Sequence, residues 1–143
     1  MENGGNEMEE CIFCKIVSGE VSSMKVYEDE YTLAFMDIAG DVDGHILVIP
    51  KEHCKNILDC NYHVLNDIMN TVKKIAEHLV ENCRYDGVNI LNASDESAGQ
   101  SVPHFHIHII PRRNNDGIDA WPVFEGANCE IEEIYRKIKM DEC

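Results

Sequence analysis

Apolar and polar positions change period several times along the 143 residues. "CIFCKIVSGE" sets Ile12, Phe13 and Ile16 at helical spacing and stops near Gly19, which predicts a short helix or turn. "MKVYEDE" and "YTLAFMDI" read as two strands of a hairpin around an acidic turn. "GHILVIPK" is a third strand, almost continuously apolar and closed by Pro50. Over residues 62–82, Leu65, Ile68, Met69, Val72, Ile75, Ala76, Leu79 and Val80 follow the helical period. This is the one long amphipathic helix, and its stripe is read as core. "GVNILNAS" is a fourth strand, "DESAGQS" a loop, "HFHIHIIP" a fifth strand and "EIEEIYRKIK" a short terminal helix. Strands grouped as hairpins with few helices predict an α+β fold on an antiparallel sheet, not a doubly wound one. Residues 1–10 read as a mobile tail, and residues 11–143 as a single domain without repeats.

The fifth strand carries the densest chemistry, in "HFHIHIIPRR". Strict alternation places His104, His106 and His108 on one face and Phe105, Ile107 and Ile109 on the other. Pro111 is expected to end the run, because it has no N–H for a ladder. Alternate strand residues sit roughly 6.6 Å apart and the outer pair about 13 Å apart. Two neighbours can share a tetrahedral ion, whereas three converging on one would need a distorted backbone. At least one histidine is therefore free for other work. A merely solvated face is the bland reading, but serine, threonine or lysine would serve water equally well.

Composition narrows the classes. Apolar residues make up 44%, so a globular chain is expected. No apolar run approaches membrane-spanning length, and the acidic start is unlike a signal peptide, so no membrane role and a cytoplasmic location are expected. Seven cysteines, an odd number, then read as reduced thiols, some of them on a metal. Twelve basic against 27 acidic residues give a net charge of −15, which opposes nucleic-acid binding. A small anion can still bind where a few donors converge.

Three further groups carry candidate chemistry. In "SAGQSVPHFHIHI", Gly99 permits close backbone approach, and Gln100 and Ser101 offer neutral donors to developing charge just ahead of the histidines. A neutral imidazole is also a nucleophile towards phosphorus. Cys11 and Cys14 form a C-x₂-C pair: a zinc half-site, a redox pair or coincidence. The redox reading needs a βαβ context that the pattern does not offer. Zinc needs two further ligands, for which His53 and His104 are available, with Cys54 as a rival. Asp37 ends the second strand, where a carboxylate can accept ribose hydroxyls or simply cap a turn. His45 opens the third strand, where a satisfied core histidine is the plain reading.

With these residues in view, the chain resembles the histidine triad (HIT) family, whose motif alternates three histidines with apolar residues. His104-Phe105-His106-Ile107-His108-Ile109-Ile110 matches it throughout. "IFCKIVSGE", "VYEDEYTLAFMDI", "GHILVIPKEH", "ILNAS" and "GQSVPHFHIHIIPR" resemble the family's blocks in order, over about residues 11 to 113. The resemblance is to the nucleotide-binding branch that carries C-x₂-C. It implies a homodimer of HIT-like α+β fold that hydrolyses nucleoside phosphoramidates or dinucleoside polyphosphates and releases a nucleoside monophosphate. It implies His106 as nucleophile at the α-phosphorus, with His108 and His45 shaping the phosphate site. Gln100 and Ser101 would contact the phosphate, Asn92 would lie beside it and Asp37 would hold the ribose. Phe13, Ile16, Phe35 and Ile38 would wall a purine pocket. Cys11, Cys14, His53 and His104 would bind structural zinc, with no cofactor needed for the chemistry. A slow nucleotide sensor and a zinc-organised interaction module are the rival readings. Pro103 stiffens the chain ahead of the triad. From about residue 114 onward no family block is matched, and Trp121 either closes over the site or reaches the dimer partner.

Overall fold

The structure, a computed structural model, describes residues 10–141. The expected tail lies outside these residues except for Glu10. The elements run α1 (Ile12–Ser18), β1 (Lys25–Glu28), β2 (Thr32–Met36), β3 (Ile46–Pro50), α2 (Tyr62–Glu81), β4 (Gly87–Leu91), a 3₁₀ turn (Glu96–Ala98), β5 (Ile107–Arg112) and α3 (Ile131–Ile138). The five strands form one antiparallel sheet in the order β1-β2-β3-β5-β4, so the architecture is the expected α+β one.

Local chemistry sets the boundaries. The Cys11 side chain accepts the Cys14 N–H at the start of α1, and Gly19, with φ +83°, turns the chain out at its end. The hairpin closes on Asp29, whose Oδ1 accepts from the backbone N–H groups of Tyr31 and Thr32, both at 2.8 Å.

Both faces of the sheet centre are covered, which is why β3 reads as continuously apolar. On one face, Ala34, Ile46, Val48, Ile107 and Ile109 pack on Val64, Ile68, Val72, Ile75 and Leu79 of α2. On the other, Leu33, Phe35, Leu47 and Ile49 pack on Cys11, Phe13 and Ile16. Full burial of a side chain such as Ile68 contributes roughly 1.5–3 kcal/mol. The α2 stripe is rotated slightly from the expected one: Val64 and Thr71 are buried, whereas Met69 and Val80 are exposed. Thr71 can sit inside because its hydroxyl is 2.7 Å from that of Thr32.

Three expectations are corrected. The histidine strand begins only at Ile107, because the preceding backbone turns aside to pair elsewhere: Phe105 N–H donates to the Cys54 carbonyl at 2.7 Å. Pro111 lies within β5, opposite Val88 of β4. β3 stops pairing at Ile109, so β5 has a neighbour on one side only at Pro111, a placement proline tolerates. Cys54 and Cys60 are joined in a disulfide, so these two cysteines are not reduced thiols and Cys54 is no rival ligand. The turn around Asn56 and Asp59 brings their Cα atoms to 5.3 Å, within bridging range. Among the described residues, no helix is long and apolar enough to cross a membrane.

Candidate active site and metal centre

His108 on β5 and His106 just ahead of it lie on the side of the sheet that α1 covers. Their rings lie 4.9 Å apart, and Phe13 stands edge-on to the rings of both His104 and His106. His104 is fully buried, His106 is buried and His108 is half-buried. Burial pushes His104 and His108 down from the ordinary 6.5 to about 4 and lowers His106 as well. The imidazoles are therefore neutral at neutral pH, each with one lone pair to aim.

Hydrogen bonds decide where those lone pairs point. His106 Nδ1 donates to the His104 carbonyl at 2.8 Å, leaving Nε2 as the bare nitrogen. The Asn92 amide donates to the His106 carbonyl at 2.8 Å and holds the same residue from its backbone side. His45 Nδ1 donates to the Asp41 carboxylate at 3.0 Å, so its Nε2 accepts from His108 Nδ1 at 2.8 Å. Asp41 was not visible from the sequence; an acid four residues before His45 in a glycine-bounded turn was the available hint. Asp37 follows β2, where its Oδ1 caps a turn through the Ala39 N–H and its Oδ2 lies 3.7 Å from His45 Nδ1. Gly44 fixes the approach of this segment: its φ is +80°, and a Cβ there would meet Pro111 Cγ at 2.9 Å.

The remaining candidates divide. Phe13, Ile16 and Phe35 come together in one buried cluster, with Phe13 and Phe35 edge-to-face at 5.6 Å. Ile38 is not part of it and is 87% exposed. Gln100 organises its own loop: its amide donates to the carbonyls of Lys55 and Val102, and its oxygen accepts from the Asp95 N–H. Ser101 is exposed and, with Cys11, His53 and Lys55, lines a groove of about 540 Å³. Among the described residues, neither Gln100 nor Ser101 hydrogen-bonds to His106.

Cys11, Cys14, His53 and His104 converge at the other end of the triad, their ligand atoms all within 4.8 Å of one another. Cys11 Sγ and Cys14 Sγ lie 3.3 and 3.6 Å from His104 Nδ1. His53 Nδ1 lies 3.3 Å from Cys14 Sγ and 3.1 Å from His104 Nδ1. A tetrahedral zinc with ordinary Zn–S and Zn–N bonds has edges of roughly 3.3–3.8 Å, so the four donors fit such an ion. The tautomer fits too: His104 Nε2 donates to the Pro50 carbonyl at 2.9 Å, which turns its lone pair at Nδ1 into the cluster. Burial and the adjacent Cys11 push the Cys14 thiol up to about 12, a penalty that a divalent cation between the sulfurs reverses. His106 and His108 take no part in this cluster, in keeping with the expectation that at least one triad histidine is free.

The comparisons with known proteins agree with this geometry. The profile described as HIT domain matches residues 18–115. The protein named Protein hit from Bacillus subtilis is 47% identical over 113 residues, 78% of each chain. The adenosine 5'-monophosphoramidase hnt1 of Schizosaccharomyces pombe is 39% identical over 135 residues, 90% of this chain and 98% of that one. Among solved structures, a zinc-bound histidine triad family protein from Mycobacterium smegmatis superposes with a TM-score of 0.75 at 36% identity, covering 79% of this chain and 82% of that one. The alternating histidines, the sheet that carries them and these likenesses together place the chain in the histidine triad family.

Proposed function

We propose that this protein is a nucleotidyl hydrolase that cleaves at the α-phosphate of a nucleoside phosphoramidate or a dinucleoside polyphosphate. The observation that carries the reading is the His106 ring. A backbone carbonyl holds its Nδ1–H, so a neutral Nε2 is presented beside His108. The relatives named as adenosine 5'-monophosphoramidases support the phosphoramidate class.

In the first step His106 Nε2 attacks the α-phosphorus, a P–N bond forms and the bond to the leaving group breaks. The departing amine or nucleotide takes a proton from the Ser101 hydroxyl, which is reprotonated from solvent. In the second step water attacks phosphorus and gives its proton to solvent, the P–N bond to His106 breaks and the nucleoside monophosphate leaves. Gln100 contacts the phosphate from its loop once substrate draws it from its present carbonyl partners. His108, held by its Nδ1–H bond to His45 Nε2, stands beside the phosphate site. Asn92 keeps His106 in place through its carbonyl. Asp37 holds the ribose hydroxyls, and Phe13, Ile16, Phe35 and Ile38 serve as the base wall. Neutral donors tolerate an anionic substrate without a positive field, which suits a chain of net charge −15.

Cys11, Cys14, His53 and His104 would hold a structural zinc. Bound there, it would supply no group to the reaction and would tie α1, the loop after β3 and the backbone ahead of β5 together. A homodimer is part of the proposal. Trp121, Val123 and Phe124, exposed by 68%, 89% and 76%, are large apolar side chains for which a partner subunit offers cover.

Release of AMP from adenosine phosphoramidate and from diadenosine tetraphosphate tests the chemistry. Wild type is expected to release it, and His106→Gly to lose at least 10³-fold in turnover while retaining AMP affinity. No cleavage of either substrate despite AMP binding would leave a sensor. Elemental analysis should find at least one zinc per chain in wild type and a clear loss in Cys14→Ser; a zinc-free wild type refutes the ligand set. Light scattering should give twice the monomer mass, and a monomer refutes the dimer. For pH, the folded His108 binds its proton only near pH 4, whereas the unfolded chain binds it near 6.5. Its contribution is therefore complete above pH 6.5 and is lost as pH falls from 6.5 towards 4. Urea midpoints should drop across that window, and less steeply in His108→Gln; equal slopes contradict the burial argument.

A further inference from the structure

Asp37, His45 and His108 form a second group of metal-capable donors, distinct from the cysteine cluster, with one donor atom from each within 4.8 Å of the others. Nothing in the hydrolytic mechanism needs an ion there, but the geometry suits one. His45 Nε2 and His108 Nδ1 are 2.8 Å apart. Two imidazole nitrogens on one tetrahedral zinc-sized ion are about 3.3 Å apart at ordinary Zn–N lengths. The two rings need to part by only about half an ångström, breaking their hydrogen bond, to become adjacent ligands. Asp41 accepts from the far nitrogen of His45 at 3.0 Å, the outer carboxylate that fixes the ring of a metal-bound histidine. Asp37 spends Oδ1 on the Ala39 N–H, and its Oδ2, 3.7 Å from His45 Nδ1, must swing towards the Nε2 side to meet an ion held there.

We propose that Asp37, His45 and His108 bind a divalent transition-metal ion of the zinc, cobalt or nickel class, and that this ion excludes nucleotide from the site. Two imidazoles and one carboxylate select such ions over magnesium or calcium, which prefer all-oxygen shells. Binding balances without loss of a proton to solvent. The proton on His108 Nδ1 moves to Nε2 of the same ring, both imidazoles stay neutral, and the Asp37 carboxylate meets part of the ion's charge. The His108 ring lies 4.9 Å from that of His106, so the ion sits where the substrate's phosphate and ribose would be held. Only this exclusion rests on the nucleotide reading; the ion site itself stands on the side-chain geometry.

The test is a count of bound ions on the full chain by equilibrium dialysis, with Zn²⁺ and with Co²⁺. Cysteine-bound Co²⁺ shows sulfur-to-metal charge-transfer bands that a site of two imidazoles and a carboxylate lacks, so the two sites are read separately. Wild type is expected to take two ions per chain. His108→Gln and Asp37→Asn are expected to keep the sulfur-bound ion, which reports an intact cluster, and to weaken the second at least 10-fold. Asp41→Asn, acting through His45, should weaken it severalfold, and Cys14→Ser should leave it bound. In wild type, excess AMP should weaken the second ion at least 10-fold and leave the first unchanged. A single ion per chain, or a second ion indifferent to His108→Gln and Asp37→Asn, overturns the site. Calorimetry of AMP on the one-ion protein separates the two ideas. If AMP does not bind, the nucleotide reading and the exclusion fail, while the ion count still decides the metal site.

Discussion

Most of the functional geometry depends on His104, which has no solvent exposure and three separate attachments. Its Nε2–H is satisfied by the Pro50 carbonyl at the end of β3, its Nδ1 faces the two cysteines and His53, and its own carbonyl receives the His106 ring. A buried imidazole is costly unless each nitrogen has a partner. Meeting that requirement orients the neighbouring histidine as a by-product. His104 and His106 are thus not independent of each other. The first fixes the tautomer of the second through one backbone carbonyl.

That dependence explains how far the sequence could be read. The α+β class, the five strands and the long helix followed from period alone, because the sheet has two covered faces and α2 one. The alternation of His104, His106 and His108 correctly placed the last two on one face. It did not reveal that the backbone through His104 and Phe105 leaves the strand, since that course is set by the Cys54 carbonyl, fifty residues away in sequence. The Cys54–Cys60 bridge was misread for a similar reason. Counting cysteines informs about compartment, whereas pairing depends on a turn built by Asn56 and Asp59. Asp41 escaped notice because nothing in its local pattern separates it from the other acids of "DVDG"; only the folded turn aims it at His45.

The electrostatics follow from the same burial. A chain with a net charge of −15 repels an anionic ligand at long range, so attraction must come from short-range donors. Desolvation keeps the triad imidazoles uncharged, and uncharged rings do not compete with substrate for protons or counterions. The same neutrality leaves lone pairs exposed to soft cations. A bare imidazole nitrogen open to an electrophile is equally open to a transition metal.

The contact between Gly44 and Pro111 has a consequence for how this sequence can drift. Any side chain at position 44 meets the proline ring and must also accept a left-handed backbone. A change there is tolerated only with a smaller residue at 111 and a rebuilt turn, so the two positions substitute together or not at all. Each lies within three residues of a partner in the His45–His108 pair. Variation at this spot would therefore register first as a misaligned imidazole and only afterwards as a loss of fold.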